Sequence, residues 1–230
     1  MNLRFPKSAI FPLLAIASLS AADPDPVPGY PAGVRVVHYP VPEDQSEQPT
    51  LFWTPELPAG EKAPLLVALH TWSGDYLQAG GEAQYARWCQ QNGWIFLHPN
   101  FRGPNRTPEA LGSDLTVADI RAVVEWAKQN SPVDESRIYA IGASGGGHAT
   151  QLLAGRLPEI WAGISSWCGI ADVAAWHAET TAAGRLNYAG HIVGAIGGEP
   201  GANDTTLAEA SHRSPLTWLE NAGGVPLDLN

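Results

Sequence analysis

The chain has 230 residues, of which 44% are hydrophobic and 16% are charged, a balance that excludes disordered and fibrous proteins and suits one well-buried domain. Acidic residues exceed basic residues by 23 to 13. Because nucleic-acid-binding proteins need a basic surface, we expect no nucleic-acid partner.

Residues 1–22 have the pattern of a signal peptide. Arg4 and Lys7 precede an apolar stretch at residues 9–19, and Ser20-Ala21-Ala22 supplies the small residues of a cleavage site. The apolar stretch is short for a membrane span, although an uncleaved anchor is the alternative interpretation. We therefore expect a secreted or periplasmic protein that has no membrane association after cleavage.

The rest of the chain alternates between strand-like and helix-like segments. Residues 23–49 are predicted to form a proline-rich leader and a first strand, and residues 50–230 an α/β domain. Buried strands are predicted at residues 64–70, 94–98, 137–141, 161–167 and 225–229, with helices around residues 85–92, 113–127 and 149–157. Ser113 is predicted to cap the second of these helices, and residues 172–212 are predicted to be irregular, with several short helices. This alternation predicts a mainly parallel sheet with helices on both faces.

One serine lies between a predicted strand and a predicted helix. The segment Gly142-Ala143-Ser144-Gly145-Gly146 matches the pattern G-x-S-x-G, in which glycines flank a serine on a sharp turn because a Cβ atom would collide there. The N-terminus of the following helix offers free N–H groups and a positive dipole end, both of which favour an oxyanion. The pattern predicts that Ser144 is the nucleophile of an acyl transfer, and an ordinary glycine turn is the alternative.

Three segments resemble the catalytic domain of the prolyl oligopeptidase family and its esterase-like relatives, within the α/β-hydrolase superfamily. They are residues 133–138 leading into the Ser144 turn, Pro99-Asn100-Phe101-Arg102-Gly103, and His212-Arg213-Ser214-Pro215-Leu216. The resemblance covers about residues 50–230 and implies an α/β-hydrolase fold. It also implies a serine hydrolase that acts on a small-molecule ester or a peptide.

The resemblance further implies an oxyanion hole made of two backbone N–H groups. One belongs to Gly145, which follows the nucleophile, and the other to the loop after the third strand, His70-Thr71-Trp72-Ser73-Gly74. By position we choose the N–H of Trp72, with Thr71 as the alternative. The Trp72 side chain is also a candidate wall of the pocket.

In α/β-hydrolases the acid and then the histidine of the triad follow the serine along the chain. Asn230 falls within the segment that is expected to form the penultimate strand. The last strand and helix are therefore expected to be lacking from the sequence. The acid and the base are expected to lie beyond Asn230. Asp228 comes too early for the acid. The weaker candidates for base and acid that follow Ser144 are His148, His177, His191, His212, Asp172 and Asp204.

Cys89 and Cys168 are interpreted as buried free thiols, with a disulfide between them left open. Neither cysteine has the spacing of a metal ligand, and the sequence has no cluster of histidine and cysteine. We therefore expect neither a metal nor a cofactor.

Together these features predict a secreted serine hydrolase that cleaves an ester or peptide bond through an acyl-Ser144 intermediate. Peptidase and carboxylesterase remain open. The nine tryptophans would suit an aromatic or sugar-linked acyl group, although core packing is their commoner role. The alternative from another class is a non-catalytic α/β domain that binds a ligand or partner, since a complete triad is not present in the sequence.

Overall fold

The computed structural model describes residues 25–230, and the predicted signal peptide at residues 1–22 lies outside them. A seven-stranded sheet has the order β1-β2-β4-β3-β5-β6-β7. Only the β1–β2 and β2–β4 pairs are antiparallel, so the sheet is mainly parallel, as predicted. The strands are β1 Arg35–Val41, β2 Ser46–Trp53, β3 Ala63–Leu69, β4 Ile95–Pro99, β5 Val133–Ala143, β6 Gly163–Trp167 and β7 Leu227–Leu229.

Helices connect the parallel strands. Ser113 caps α2 as predicted, because its Oγ accepts a hydrogen bond from the N–H of Thr116 at 3.2 Å. α1 ends at Gly93, which has the left-handed φ of 67° typical of a glycine helix stop. The helices are α1 Gly81–Asn92, α2 Asp114–Asn130, α3 Gly145–Arg156, α4 Val173–Ala182, α5 Leu186–Ile196 and α6 Asp204–His212.

The sheet is packed on both faces, which explains the unbroken apolar sequence of its central strand. Every residue of β3 is buried. Leu65 and Val67 point to the face covered by α2 and α3, while Leu66 and Ala68 belong to the cluster formed with α1. This is the burial pattern of a parallel strand covered on both sides, and it confirms the predicted α/β architecture.

The several short helices predicted within residues 172–212 are confirmed as α4, α5 and α6, and they leave less of the segment irregular than the sequence indicated. Local capping starts two of the helices. Asp172 accepts a hydrogen bond from Ala175 N, and Asn203 forms a capping box with Thr206. The many alanines and glycines of the segment weaken its apolar periodicity, so that this sequence signal was faint.

The first strand belongs to the same sheet as the rest of the chain. β1 pairs with β2 along its whole length, from Arg35 opposite Phe52 to Val41 opposite Ser46. The boundary drawn at residue 50 therefore falls inside β2. Across residues 25–230, no helix combines the length and apolar character needed to span a bilayer.

Candidate active site

Ser144 lies at the point where β5 ends and α3 begins. Its φ of 55° is positive and, with a ψ of −114°, lies in a sparsely populated backbone region that costs a non-glycine residue about 1–3 kcal/mol. Two backbone hydrogen bonds hold the turn: Ser144 N–H donates to Trp167 O at 2.8 Å, and His148 N–H donates to Ser144 O at 2.9 Å. The predicted strand–turn–helix context is therefore present, and it leaves Ser144 partly exposed.

The glycines around Ser144 allow the strand, the helix and the neighbouring loop to approach closely. A Cβ atom on Gly142 would lie 2.5 Å from the carbonyl carbon and oxygen of Gly146. A Cβ atom on Gly146 would lie 2.3 Å from the carbonyl oxygen of Leu69, at the end of β3. Any side chain at these positions would push the backbone apart, which is the physical reason for the glycine pattern.

Gly145 brings the two predicted N–H donors together. A Cβ atom on Gly145 would lie only 2.5 Å from both N and Cα of Trp72, so the loop after β3 lies directly against the first residue of α3. The Thr71 N–H donates to Gln78 Oε1 at 3.2 Å, whereas the Trp72 N–H has no hydrogen-bond partner within residues 25–230. As the first residue of α3, Gly145 also has an N–H with no partner inside the helix. Of the two neighbours considered in the loop, Trp72 is the one whose N–H is free.

The Trp72 side chain is buried beneath the helices that follow β6. Its ring centroid lies 4.5 Å from that of Trp176 on α4 and 6.4 Å from that of Tyr188 on α5. Its indole N–H donates to Nδ1 of His191 at 3.2 Å. Partial burial and nearby Arg106 lower the pKa of His191, which keeps Nδ1 available as an acceptor. An aromatic wall therefore stands beside the Gly145–Trp72 contact.

The other histidine candidates are engaged away from Ser144. His148 is fully buried on α3, and its Nε2 donates to Arg213 O at 2.8 Å. Burial lowers the pKa of His148 to about 4. His212 Nε2 lies 2.8 Å from Asp114 Oδ1, and His177 lies on α4. Within residues 25–230, no histidine side chain hydrogen-bonds to Ser144.

The acidic candidates serve local structure. Asp172 caps α4, and Asp204 lies in the first turn of α6, where a negative charge complements the helix dipole. Asp228 on β7 is exposed and accepts a hydrogen bond from Ser165 Oγ at 3.0 Å. None of these contacts reaches Ser144.

The two cysteines are free, and they differ in exposure. Cys89 is buried on α1, and burial raises its pKa to about 12. Cys168 is exposed, contrary to the prediction, because it follows β6 in a turn with a φ of 48°. Within residues 25–230, no group of three or more His, Cys, Asp or Glu side chains could hold a metal ion.

No sequence signal pointed to Asn105, a buried residue that also touches this site. Its N–H donates to Trp72 O at 2.9 Å, and its side chain lies against Gly145. Asparagine is common in loops, and no spacing separates this one from an ordinary turn residue.

Known proteins resemble this chain in sequence and in fold. The model of the prolyl oligopeptidase family matches residues 82–195, the region from α1 to α5 that contains Ser144. Feruloyl esterase B of Thermothelomyces thermophilus is 29% identical over 126 residues, which cover 51% of this chain and 43% of that protein. The chain spans half or less of the curated relatives it matches first, 43% of one and 50% of another.

Two solved structures share the fold at low sequence identity. Puromycin hydrolase superposes with a TM-score of 0.65 at 19% identity, over 85% of this chain and 30% of that one. FphF, a fluorophosphonate-binding serine hydrolase of Staphylococcus aureus, superposes with a TM-score of 0.61 at 14% identity, over 85% of this chain and 77% of that one.

The sheet order, the serine turn and these likenesses define the class by its architecture: the chain has the α/β-hydrolase fold. In sequence it resembles the prolyl oligopeptidase family and feruloyl esterase B, as the sequence indicated for that family and its esterase-like relatives.

Proposed function

We propose that this protein is a secreted serine hydrolase that cleaves an ester or peptide bond through an acyl-Ser144 intermediate. The observation that carries this is the contact between Gly145 and Trp72. It gathers two backbone N–H groups that have no partner in the part of the chain that the structure describes, next to a strained, partly exposed serine. Secretion rests on the signal-peptide pattern of residues 1–22.

The proposed chemistry follows from these positions. Ser144 Oγ attacks the carbonyl carbon of the substrate while a base removes the hydroxyl proton. The carbonyl oxygen becomes an oxyanion, which accepts hydrogen bonds from the N–H groups of Gly145 and Trp72. Collapse of this intermediate expels the alcohol or amine with a proton, and water then hydrolyses the acyl-serine. Each donor to the oxyanion is worth about 10²–10³ in rate.

We infer that the acyl group is aromatic and that an ester is preferred over a peptide. Trp72, Trp176 and Tyr188 form a wall of flat rings beside the oxyanion donors, and aromatic rings pack well against such a wall. A cleft of about 460 Å³ between the end of β6 and α4 adjoins this wall and includes Trp176. The relative named feruloyl esterase B, whose name states an aromatic acyl group, supports the same substrate class.

The test compares two substrates on the protein expressed from its complete reading frame. We expect methyl ferulate to be hydrolysed faster than a peptide p-nitroanilide. Ser144→Ala should lower kcat by at least about 10⁴-fold, because it removes the nucleophile. Ser73→Ala is the matched control, since Ser73 is an exposed serine of the neighbouring loop, and it should leave kcat unchanged.

Two results would count against this function. Faster cleavage of the anilide would favour the peptidase over the esterase. A folded wild-type protein that hydrolyses neither substrate would favour the non-catalytic binding domain instead.

A further inference from the structure

The loop between β4 and α2 contains a buried amide with an unused donor. Asn105 is only 2% exposed. Its Oδ1 accepts a hydrogen bond from Leu111 N at 3.0 Å, and its main-chain N–H donates to Trp72 O at 2.9 Å. Because Oδ1 is taken by a backbone N–H, the orientation of the amide is set and Nδ2 lies on the opposite side.

Nδ2 of Asn105 faces the contact between the two proposed oxyanion donors. A Cβ atom on Gly145 would lie 2.8 Å from Nδ2 and 2.5 Å from Trp72 N. Within residues 25–230, Nδ2 has no hydrogen-bond partner. A buried donor without a partner is unfavourable, so its presence beside the nucleophile calls for an explanation other than packing.

The same loop is firmly held from its other end. Arg102 forms two hydrogen bonds to the buried Asp119 on α2, Nε to Oδ2 at 2.9 Å and Nη2 to Oδ1 at 2.6 Å. It also pairs with Asp44 at 2.7 Å. The segment that contains Asn105 is therefore anchored where it contacts the Trp72 loop. A residue that positions another group has to be held in this way.

We propose that Asn105 is a positioning residue for the oxyanion hole formed by Gly145 and Trp72, an inference that rests on the proposed function. Its main-chain bond to the Trp72 carbonyl orients the Trp72 peptide, and its side chain sets the spacing between that peptide and Gly145. Nδ2 also brings the positive end of the amide dipole to the place where negative charge develops.

This role predicts an effect on catalysis rather than on substrate binding. The oxyanion exists only in the transition state and the tetrahedral intermediate, so a displaced donor lowers kcat and leaves KM nearly unchanged. If Asn105 had a purely structural role, its replacement would instead lower the melting temperature and leave kcat of the folded fraction unchanged.

The test is Asn105→Asp in the protein expressed from its complete reading frame. Aspartate keeps the size and the acceptor for Leu111 N, but it replaces the NH₂ group with a second oxygen. With methyl ferulate at pH 8, we expect kcat to fall about 10²-fold and KM to change less than about twofold. The ratio of variant to wild-type kcat should rise as pH falls, because protonation removes the negative charge beside the oxyanion.

Two further variants complete the design. Asn100→Asp is the matched control, since it makes the same change earlier in the same loop, where Nδ2 donates to Gln48 at 3.4 Å; its kcat should equal that of wild type. Asn105→Ala removes the amide without adding a charge. It should lower kcat per fluorophosphonate-titrated site, and the ratio of its kcat to that of wild type should not rise as pH falls.

The outcomes separate this inference from the proposed function. If wild type hydrolyses the ester and is labelled at Ser144, but both Asn105 variants retain full kcat per titrated site, Asn105 has no positioning role. A kcat ratio that is independent of pH in Asn105→Asp overturns the role of the amide dipole. If folded wild type is neither active nor labelled, the proposed function fails and this inference fails with it.

Discussion

At the scale of single residues, the turn around Ser144 depends on close backbone contacts that only glycine permits. Ser144 keeps a left-handed φ of 55°, and Gly142, Gly145 and Gly146 each lie where a Cβ atom would meet backbone at 2.5 Å or less. The sequence predicted this local geometry because steric exclusion acts over a few neighbouring residues. It could not identify Asn105, whose partners Trp72 and Leu111 become neighbours only through the fold.

Gly146→Ala tests the steric part of this description. The new methyl group would meet the carbonyl oxygen of Leu69 at 2.3 Å, so we expect the free energy of unfolding to fall by about 1–3 kcal/mol in urea denaturation. Gly190→Ala is the control, because this glycine on α5 has nothing within 4 Å of the added atom. It should stabilise the protein by up to about 1 kcal/mol, through helix propensity. Equal stability of the two variants would be inconsistent with a tight serine turn.

Buried histidines predict how stability depends on pH. Burial lowers the pKa of His98 to about 3 and that of His148 to about 4, whereas an unfolded histidine titrates near 6.5. Above pH 6.5 both states are neutral, and below it only the unfolded state gains protons. Stability should therefore fall from about pH 6.5 towards pH 4, with a slope of up to about 1.4 kcal/mol per pH unit for each histidine.

Melting temperatures measured between pH 8 and pH 4.5 check this slope. His148→Gln should reduce the slope, and His38→Gln should leave it unchanged, because His38 is exposed on β1. A melting temperature that stays constant from pH 7 to pH 5 would mean that the buried histidines are not held neutral.

At the scale of elements, α4 and α5 determine what lies next to the serine. Their ring-bearing residues Trp176 and Tyr188 pack on Trp72, and His191 accepts the indole hydrogen bond. The sequence predicted residues 172–212 only as an irregular segment with several short helices. The helix caps at Asp172 and Asn203 depend only on neighbouring residues, so the sequence contains them. The apolar cluster on which these helices pack also includes Trp72, which lies more than a hundred residues earlier in the chain.

Trp176→Ala tests the aromatic wall as the acyl-binding surface. Removing this ring should raise KM for methyl ferulate by about tenfold, which corresponds to the energy of one aromatic contact. KM for p-nitrophenyl acetate should stay unchanged, since an acetyl group does not reach the ring. Trp88→Ala on α1 is the matched control, because Trp88 is an exposed tryptophan outside the site. The same change in KM for both esters would place the acyl group elsewhere.

At the scale of the whole molecule, the order of the strands brings the site together. β3, β5 and β6 are parallel neighbours, so the loops that contain Trp72, Ser144 and Cys168 meet at the same edge of the sheet. The alternation of strands and helices predicted the parallel sheet. It could not predict strand order, because that depends on which apolar faces pack together across the whole chain.

The face of the sheet beside α1 has an open apolar groove of about 740 Å³, lined by residues that include Trp88, Trp94 and Tyr139. Such surfaces promote association, so we expect the 230-residue chain to bind the dye ANS and to self-associate. Trp88→Lys should reduce both, as measured by dye fluorescence and sedimentation velocity. Glu61→Lys, an exposed change away from the groove, should alter neither. Equal association of the two variants would exclude the groove as the contact surface.

Ser144 is proposed to be an activated nucleophile, and covalent labelling tests this claim. The protein expressed from its complete reading frame is treated with a fluorophosphonate probe, digested and mapped by mass spectrometry. We predict one modified site, at Ser144, in wild type and in Ser73→Ala, with no modification in Ser144→Ala. A folded wild-type protein that remains unmodified at Ser144, or that is modified equally in Ser144→Ala, would contradict this claim.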